Sequence, residues 1–151
     1  MPQKISRLVT MSISPERSVS NRIFIDTGFV IALVNQRDQY HPQALELADK
    51  YEGYPSLVTD AVLLEIGNAL SRGYKREAIE IIEQFLTSEE VKVVYLTPEL
   101  FDEAFGLYKE YQDKEWSLVD CISLVVMRGR GVKQVLAFDH HFVQMGFEVL
   151  S

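Results

Sequence analysis

Residues 23–34 read IFIDTGFVIALV: three apolar residues, then an aspartate, then a longer and mostly apolar segment. The β-branched and aromatic run at 23–25 is typical of a buried strand. The apolar residues that follow Thr27 at three- and four-residue spacing predict a helix over residues 27–34. Asp26 falls at the junction, so we interpret this stretch as a strand and a helix with an acidic side chain between them.

The same alternation continues to the end of the chain. Further strands are predicted at residues 56–58, 91–96, 135–138 and 147–150, and further helices at residues 42–51, 61–72, 76–87, 99–111 and 118–128. Strands that alternate with helices favour parallel strands joined by right-handed crossovers, with helices on both faces of the sheet. The predicted fold class is therefore α/β, with one central sheet between two layers of helices.

Length and composition fit one globular domain. The 151 residues are 47% apolar and 25% charged, which excludes a wholly disordered chain and leaves room for a single core. With 15 basic and 22 acidic residues the net charge is −7, so charge alone does not favour nonspecific attraction to nucleic acid or membranes. No apolar run approaches the roughly 20 residues of a membrane-spanning helix. The single cysteine, Cys121, is expected in the core and favours a reducing, cytoplasmic location.

Residues 1–20 differ from the rest of the sequence. They contain five serines and two prolines and show no sustained apolar periodicity. No apolar stretch of about 7–15 residues follows their basic residues, so a secretory signal is not indicated. We predict a flexible N-terminal extension over residues 1–20 and one folded domain over residues 21–151.

Four acidic residues stand in apolar surroundings. Asp26 and Asp139 directly follow the predicted strands at 23–25 and 135–138. They are expected at the carboxyl edge of the sheet, where ligands bind in open α/β folds. The other two acids, Glu65 and Asp120, lie within predicted helices.

Both helical acids lack a basic residue three or four positions away. Glu65 shares a stripe that is expected to face the core with Val62, Ile66 and Ala69, and Asp120 lies in a helix that is apolar nearly all round. A carboxylate taken from water without a partner costs on the order of several kcal/mol, and it responds by binding a cation or by a raised pKa.

A divalent metal is the natural partner if the four acids converge. An all-oxygen cluster suits Mg²⁺ or Mn²⁺, whereas zinc favours His and Cys ligands, which this chain does not offer at ligand spacing. The chemistry implied by such a cluster is metal-assisted hydrolysis of a phosphodiester bond.

Each acid also has a structural interpretation. Asp26 suits the N-cap of the helix that follows it, and Asp139 suits the cap of the next short turn. Ser117 and Asp120 match a capping box. Glu65 is suited to an ion pair with a distant arginine. Because all four acids share an apolar context, the pattern as a whole favours a functional site.

With these residues in this order, the sequence resembles the PIN-domain ribonucleases, the family that includes the VapC-type toxins of toxin–antitoxin pairs. The likeness spans residues 22–151, and its matching segments are IFIDTGF (23–29), LLEIGNAL (63–70), WSLVDC (116–121) and LAFDHHF (136–142). The resemblance implies a three-layer α/β/α sandwich with a five-stranded parallel sheet. It also implies a Mg²⁺ or Mn²⁺ ion held by four acidic side chains, those of Asp26, Glu65, Asp120 and Asp139.

Two hydroxyl residues also match the family pattern. Thr27 and Ser117 occupy positions that support the attacking water or the phosphate in this family. Gly28 stands where many relatives carry serine, so a further hydroxyl is absent here. His140 and His141, beside Asp139, are interpreted as surface turn residues or RNA contacts rather than as catalytic groups.

The resemblance therefore implies a metal-dependent endoribonuclease, the toxin of a type II toxin–antitoxin system. RNA, an antitoxin protein and a second copy of the chain are the expected partners, and no membrane is involved. The aromatic pairs Phe101/Phe105 and Tyr108/Tyr111 lie at helical spacing and are expected in the core or in a dimer interface. A housekeeping RNA-processing nuclease and a catalytically idle PIN-like binding module are the alternatives.

Two other classes of α/β protein with clustered acids are less favoured. A phosphohydrolase of the haloacid dehalogenase type needs a second aspartate two residues after the first, where this chain has Gly28. A receiver domain needs adjacent acids after its first strand, but Asp26 stands alone.

Overall fold

The computed structural model describes residues 20–151, which form five strands and seven helices. The strands are β1 (Ile23–Ile25), β2 (Ser56–Thr59), β3 (Val91–Val94), β4 (Gln134–Leu136) and β5 (Glu148–Val149). The helices are α1 (Thr27–Val34), α2 (His41–Lys50), α3 (Asp60–Ala69), α4 (Lys75–Thr87), α5 (Pro98–Glu110), α6 (Leu118–Gly129) and α7 (His141–Gln144). The predicted N-terminal extension lies outside the described residues, apart from Ser20.

All five strands are parallel, in the order β3-β2-β1-β4-β5. The chain builds the sheet outward from β1 to one side and then returns to its other side, so the strand order reverses beside β1. Ligand sites of open α/β sheets lie at such reversals, outside the carboxyl ends of the strands. The pairing of β1 with β4 is continued there by the Asp26 amide, which donates to the Leu136 carbonyl at 3.1 Å.

The core lies on both faces of the central strand. All three residues of β1 are buried, as expected for a strand of a parallel sheet that is covered on both sides. On one face the Phe24 ring packs against Phe142 of α7, with ring centroids 6.3 Å apart. Helix α1 packs against α2 and α3, and α5 packs against α6. The predicted α/β/α sandwich with a five-stranded parallel sheet is confirmed.

The predicted end of β4 is wrong, and this changes the position of Asp139 relative to the sheet. β4 ends at Leu136, so Asp139 does not directly follow a strand as predicted. The reason is that β1 ends at Ile25, opposite Leu136, and leaves no strand to pair with residues 137 and 138. The chain turns instead and enters the four-residue helix α7, which was not predicted.

Helix ends depart from prediction by a few residues. α3 ends at Ala69 rather than at residue 72, because the chain turns through Gly73, whose φ of +88° is a left-handed conformation that glycine adopts without strain. Within residues 20–151, every helix is too short or too polar to cross a bilayer.

Candidate active site

Asp26 is the most deeply buried of the four acids. It directly follows β1 and occupies the N-cap position of α1, but its side chain accepts no capping hydrogen bond. The capping interpretation therefore accounts for its place at the helix end but not for its carboxylate. It is 8% exposed. Burial, together with the charges of Asp120 and Glu65, raises the pKa of Asp26 to about 7, while the N–H groups of Thr27 and Gly28 act in the opposite direction. No lysine or arginine of the described residues forms an ion pair with it.

Glu65 reaches the site from α3. It accepts a hydrogen bond of 2.6 Å from the Thr27 hydroxyl, so its neighbour is an α1 residue rather than the arginine that the structural interpretation required. The predicted core-facing stripe is only partly correct. Val62 and Ile66 are fully buried, but Ala69, the last residue of α3, is exposed.

Ser117 and Asp120 form the predicted capping box at the start of α6. The Asp120 amide donates to the Ser117 hydroxyl, and the Ser117 amide donates to Asp120 Oδ2, each at 3.0 Å. The two bonds fix the direction of the Asp120 carboxylate relative to the helix end. Burial and the nearby Asp120 charge raise the pKa of the Cys121 thiol, which fits its predicted place in the core and not a nucleophile.

His141 lies between two of the predicted acids. Its Nδ1 is 2.9 Å from Asp120 Oδ2 and 3.1 Å from Asp139 Oδ2, and its backbone amide donates to Asp139 Oδ1 at 3.0 Å. Both side-chain neighbours are carboxylate oxygens, so the tautomer that satisfies them carries its proton on Nδ1. The interpretation of His141 as a surface residue is wrong, since its side chain is 14% exposed, whereas that of His140 is 75% exposed.

The fold thus brings together side chains from four separate segments. Asp26 is an electrostatic neighbour of Glu65 and Asp120, and His141 joins Asp120 to Asp139. The donor atoms are carboxylate oxygens, which suit a hard divalent cation. Within residues 20–151, no three His, Cys, Asp or Glu side chains already stand at ligand distance from one point. The metal-ligand roles therefore remain predictions.

Ser117, which contacts Asp120, also lines an open groove. The groove has a volume of about 480 Å³ and is also lined by Tyr108, Tyr111, Lys114 and Trp116. An open, partly aromatic groove with a cationic side chain suits part of a polymeric substrate better than a small molecule that must be enclosed.

Comparisons with known proteins agree with the fold and identify the family. The PIN-domain family model matches residues 23–148, and the chain therefore belongs to the PIN-domain family. The 23S rRNA-specific endonuclease VapC20 of Mycobacterium tuberculosis is 32% identical over 127 residues, which cover 83% of this chain and 95% of the relative. The VapC ribonuclease of Aquifex aeolicus is 31% identical over 108 residues, 70% of this chain and 76% of the relative.

A solved structure shows the same architecture. The crystal structure of Mycobacterium tuberculosis VapC20, described as a sarcin-ricin loop cleaving toxin, matches with a TM-score of 0.75 at 30% identity. The match covers 83% of this chain and 95% of that chain. The resemblance drawn from the sequence is confirmed.

Proposed function

We propose that this chain is a metal-dependent endoribonuclease that acts as the toxin of a type II toxin–antitoxin pair. The observation that carries the proposal is that Asp26 lies near Glu65 and Asp120, and that His141 links Asp120 to Asp139. No lysine or arginine of the described residues is paired to these four acids. Two of the relatives are named as an endonuclease and a ribonuclease, which supports the activity.

In this proposal Asp26, Glu65, Asp120 and Asp139 hold Mg²⁺ or Mn²⁺. When bound, such an ion would polarise the scissile phosphate and lower the pKa of the attacking water. The residues around the acids orient them. The Thr27 hydroxyl donates to Glu65, the Ser117 amide donates to Asp120, and the Ser117 hydroxyl accepts from the Asp120 amide.

The proposed partners are RNA, an antitoxin and a second copy of the chain. The ribosomal RNA in the name of one relative makes 23S rRNA the first substrate to test and favours a cytoplasmic protein. An antitoxin would restrain the enzyme by covering the acidic edge of the sheet. The homodimer is supported by an exposed aromatic row on α5, formed by Phe101, Phe105 and Tyr108.

Cleavage of 23S rRNA and of a mixed RNA pool tests the activity. The wild-type protein should cut RNA with Mg²⁺ and should stop when the metal is chelated. Asp120→Asn, which keeps the size of the side chain but removes its charge, should lower the cleavage rate at least about 100-fold. Asp113→Asn removes a carboxylate whose side chain is 71% exposed, and it should cut like the wild type.

Two outcomes would contradict the proposal. Equal cleavage by the wild type and by Asp120→Asn would mean that a contaminating nuclease produces the signal. Absence of cleavage by every folded variant, with each RNA and each metal, would favour the catalytically idle binding module.

A further inference from the structure

We propose that Tyr40 is a stacking platform for an unpaired nucleobase of the RNA, an inference that rests on the proposed function. The Tyr40 ring lies parallel to Phe138, with centroids 4.6 Å apart and planes inclined by 5°. Phe138 in turn packs against Phe29 of α1, with centroids 6.1 Å apart. One face of the Tyr40 ring is thus covered by Phe138, and the residue is still 37% exposed.

The platform adjoins the acidic site through the backbone. Phe138, on which Tyr40 stacks, is the residue before Asp139, and His141 joins Asp139 to Asp120. Tyr40 is thus separated from Asp139, one of the acids proposed to bind the metal, by Phe138 alone. This position suits a nucleotide close to the scissile phosphate.

The backbone around Tyr40 is held in place before any ligand binds. The Tyr40 amide donates to Asp38 Oδ1 at 2.8 Å, and the His41 amide donates to the Asp38 carbonyl at 3.0 Å. The His41 ring is anchored through Nδ1, 2.8 Å from the Ala32 carbonyl of α1. A ring on such a fixed turn loses little conformational freedom when a base stacks on it, so more of the stacking energy remains as affinity.

The same turn presents a cation. Arg37 is exposed, and no acidic residue of the described chain forms an ion pair with it. Its amide donates to Asn35 Oδ1 at 2.9 Å, and that oxygen also accepts the Tyr74 hydroxyl at 3.1 Å. A guanidinium three residues from an aromatic platform suits the phosphate of a nucleotide whose base lies on the ring.

An unpaired base is the ligand that fits these features. A flat aromatic face accepts any base that is not held in a duplex, and loops of RNA present such bases. The proposed contact is made by the face of the Tyr40 ring, which stacks on a base without reading its hydrogen-bond pattern. The substrate class is therefore an RNA loop or single strand, with little preference from Tyr40 for one base.

Binding of an RNA hairpin with 2-aminopurine in its loop tests the platform without cleavage, in a buffer that contains a chelator. Tyr40→Leu should weaken binding about tenfold and reduce the fluorescence change on binding, whereas Tyr40→Phe should retain both. Tyr54→Leu is the matched control. Tyr54 is also exposed but precedes β2, at the opposite edge of the sheet, so this variant should bind like the wild type.

Wild-type affinity of folded Tyr40→Leu, or an equal loss in Tyr54→Leu, would overturn the inference. If Tyr40→Leu does not fold, Tyr40→Trp provides the test. Bound RNA should quench its fluorescence more than that of the wild type, whose single tryptophan is Trp116. Equal quenching of the two proteins would also overturn the inference. If the wild type cleaves RNA but Tyr40→Leu binds it with unchanged affinity, the stacking proposal is wrong and the proposed nuclease function stands. If RNA stacks on Tyr40 but no cleavage occurs, the proposed nuclease function is wrong and the stacking proposal stands.

Discussion

His141 joins two carboxylates that lie far apart in the sequence. It stands 21 residues after Asp120, yet its Nδ1 contacts both Asp120 and Asp139. Helix α7 places the ring there, and Phe142, the next residue, anchors that helix in the core. The ring therefore acts on the two acids by holding their directions, which makes His141 a positioning residue.

Removal of the imidazole should loosen both acids. His141→Phe cannot donate to them, so the affinity for Mn²⁺ measured by titration calorimetry should fall about 10- to 100-fold, as expected when a residue that orients a ligand is lost. His141→Asn keeps a donor and should restore part of the affinity. His140→Phe changes the exposed neighbour and should leave Mn²⁺ binding unchanged. Equal affinities of His141→Phe and wild type would contradict this role.

At the level of elements, α5 presents an unusual surface. Phe101, Phe105 and Tyr108 are exposed and form a row along the helix, with successive ring centroids 6.0 and 6.4 Å apart. The sequence left the core and a dimer interface as the two possibilities for these rings. The structure excludes the core for this row, whereas Tyr111 packs against Trp116 at 4.9 Å.

Two further exposed apolar residues, Leu96 and Leu64, lie just before α5 and on α3. The Leu96 amide, two residues before α5, donates to Asp60 Oδ1 at the start of α3 at 3.0 Å. Leu64, one turn further along α3, is exposed, and so is Leu96. Exposed apolar side chains of this kind are typical of protein interfaces, and the same row on two copies suits a twofold dimer.

A charge in the middle of the row should separate the proposed dimer. Phe105→Glu would bury a carboxylate against the partner, so analytical ultracentrifugation should show a dimer for the wild type and a monomer for the variant. Leu86→Glu changes an equally exposed apolar residue on α4 and should remain dimeric. A monomeric wild type at tens of micromolar would contradict the dimer.

For the whole molecule, the buried Asp26 sets a pH dependence of stability. The native carboxyl keeps its proton up to a pH of about 7, whereas in the unfolded chain its pKa is near 3.8. The native state therefore binds more protons between these values, and the free energy of unfolding falls as pH rises from about 4 to about 7. The shift corresponds to a loss of about 4 kcal/mol above pH 7.

Replacement of Asp26 should remove this loss. In the presence of a chelator, urea unfolding of the wild type should show lower stability at pH 8 than at pH 5. Asp26→Asn should show a smaller difference and should be more stable than the wild type at pH 8. Asp113→Asn, at an exposed position, should follow the wild type. Parallel pH profiles for Asp26→Asn and the wild type would show that the native carboxyl is already ionised at low pH.

Local patterns were sufficient for most of the fold. β1 and α1 occur where the sequence predicts them, because three apolar residues and a helical apolar stripe are signals carried within one segment. The capping box of Ser117 and Asp120 was equally local. The end of β4 and the four-residue α7 were not predictable in this way, because a strand ends where its neighbours stop pairing and one helical turn is too short to show a period.

The amino-acid sequence by itself determined the α/β alternation, the family and the identity of the four acids, since each is written in short runs of residue types. Only the tertiary structure decided which groups meet at the carboxyl edge: Thr27 with Glu65, His141 with two aspartates, and Tyr40 with Phe138. These pairs depend on how the segments pack across the sheet. Contacts between side chains on different elements produce no periodic pattern in the sequence, so the sequence alone does not predict them.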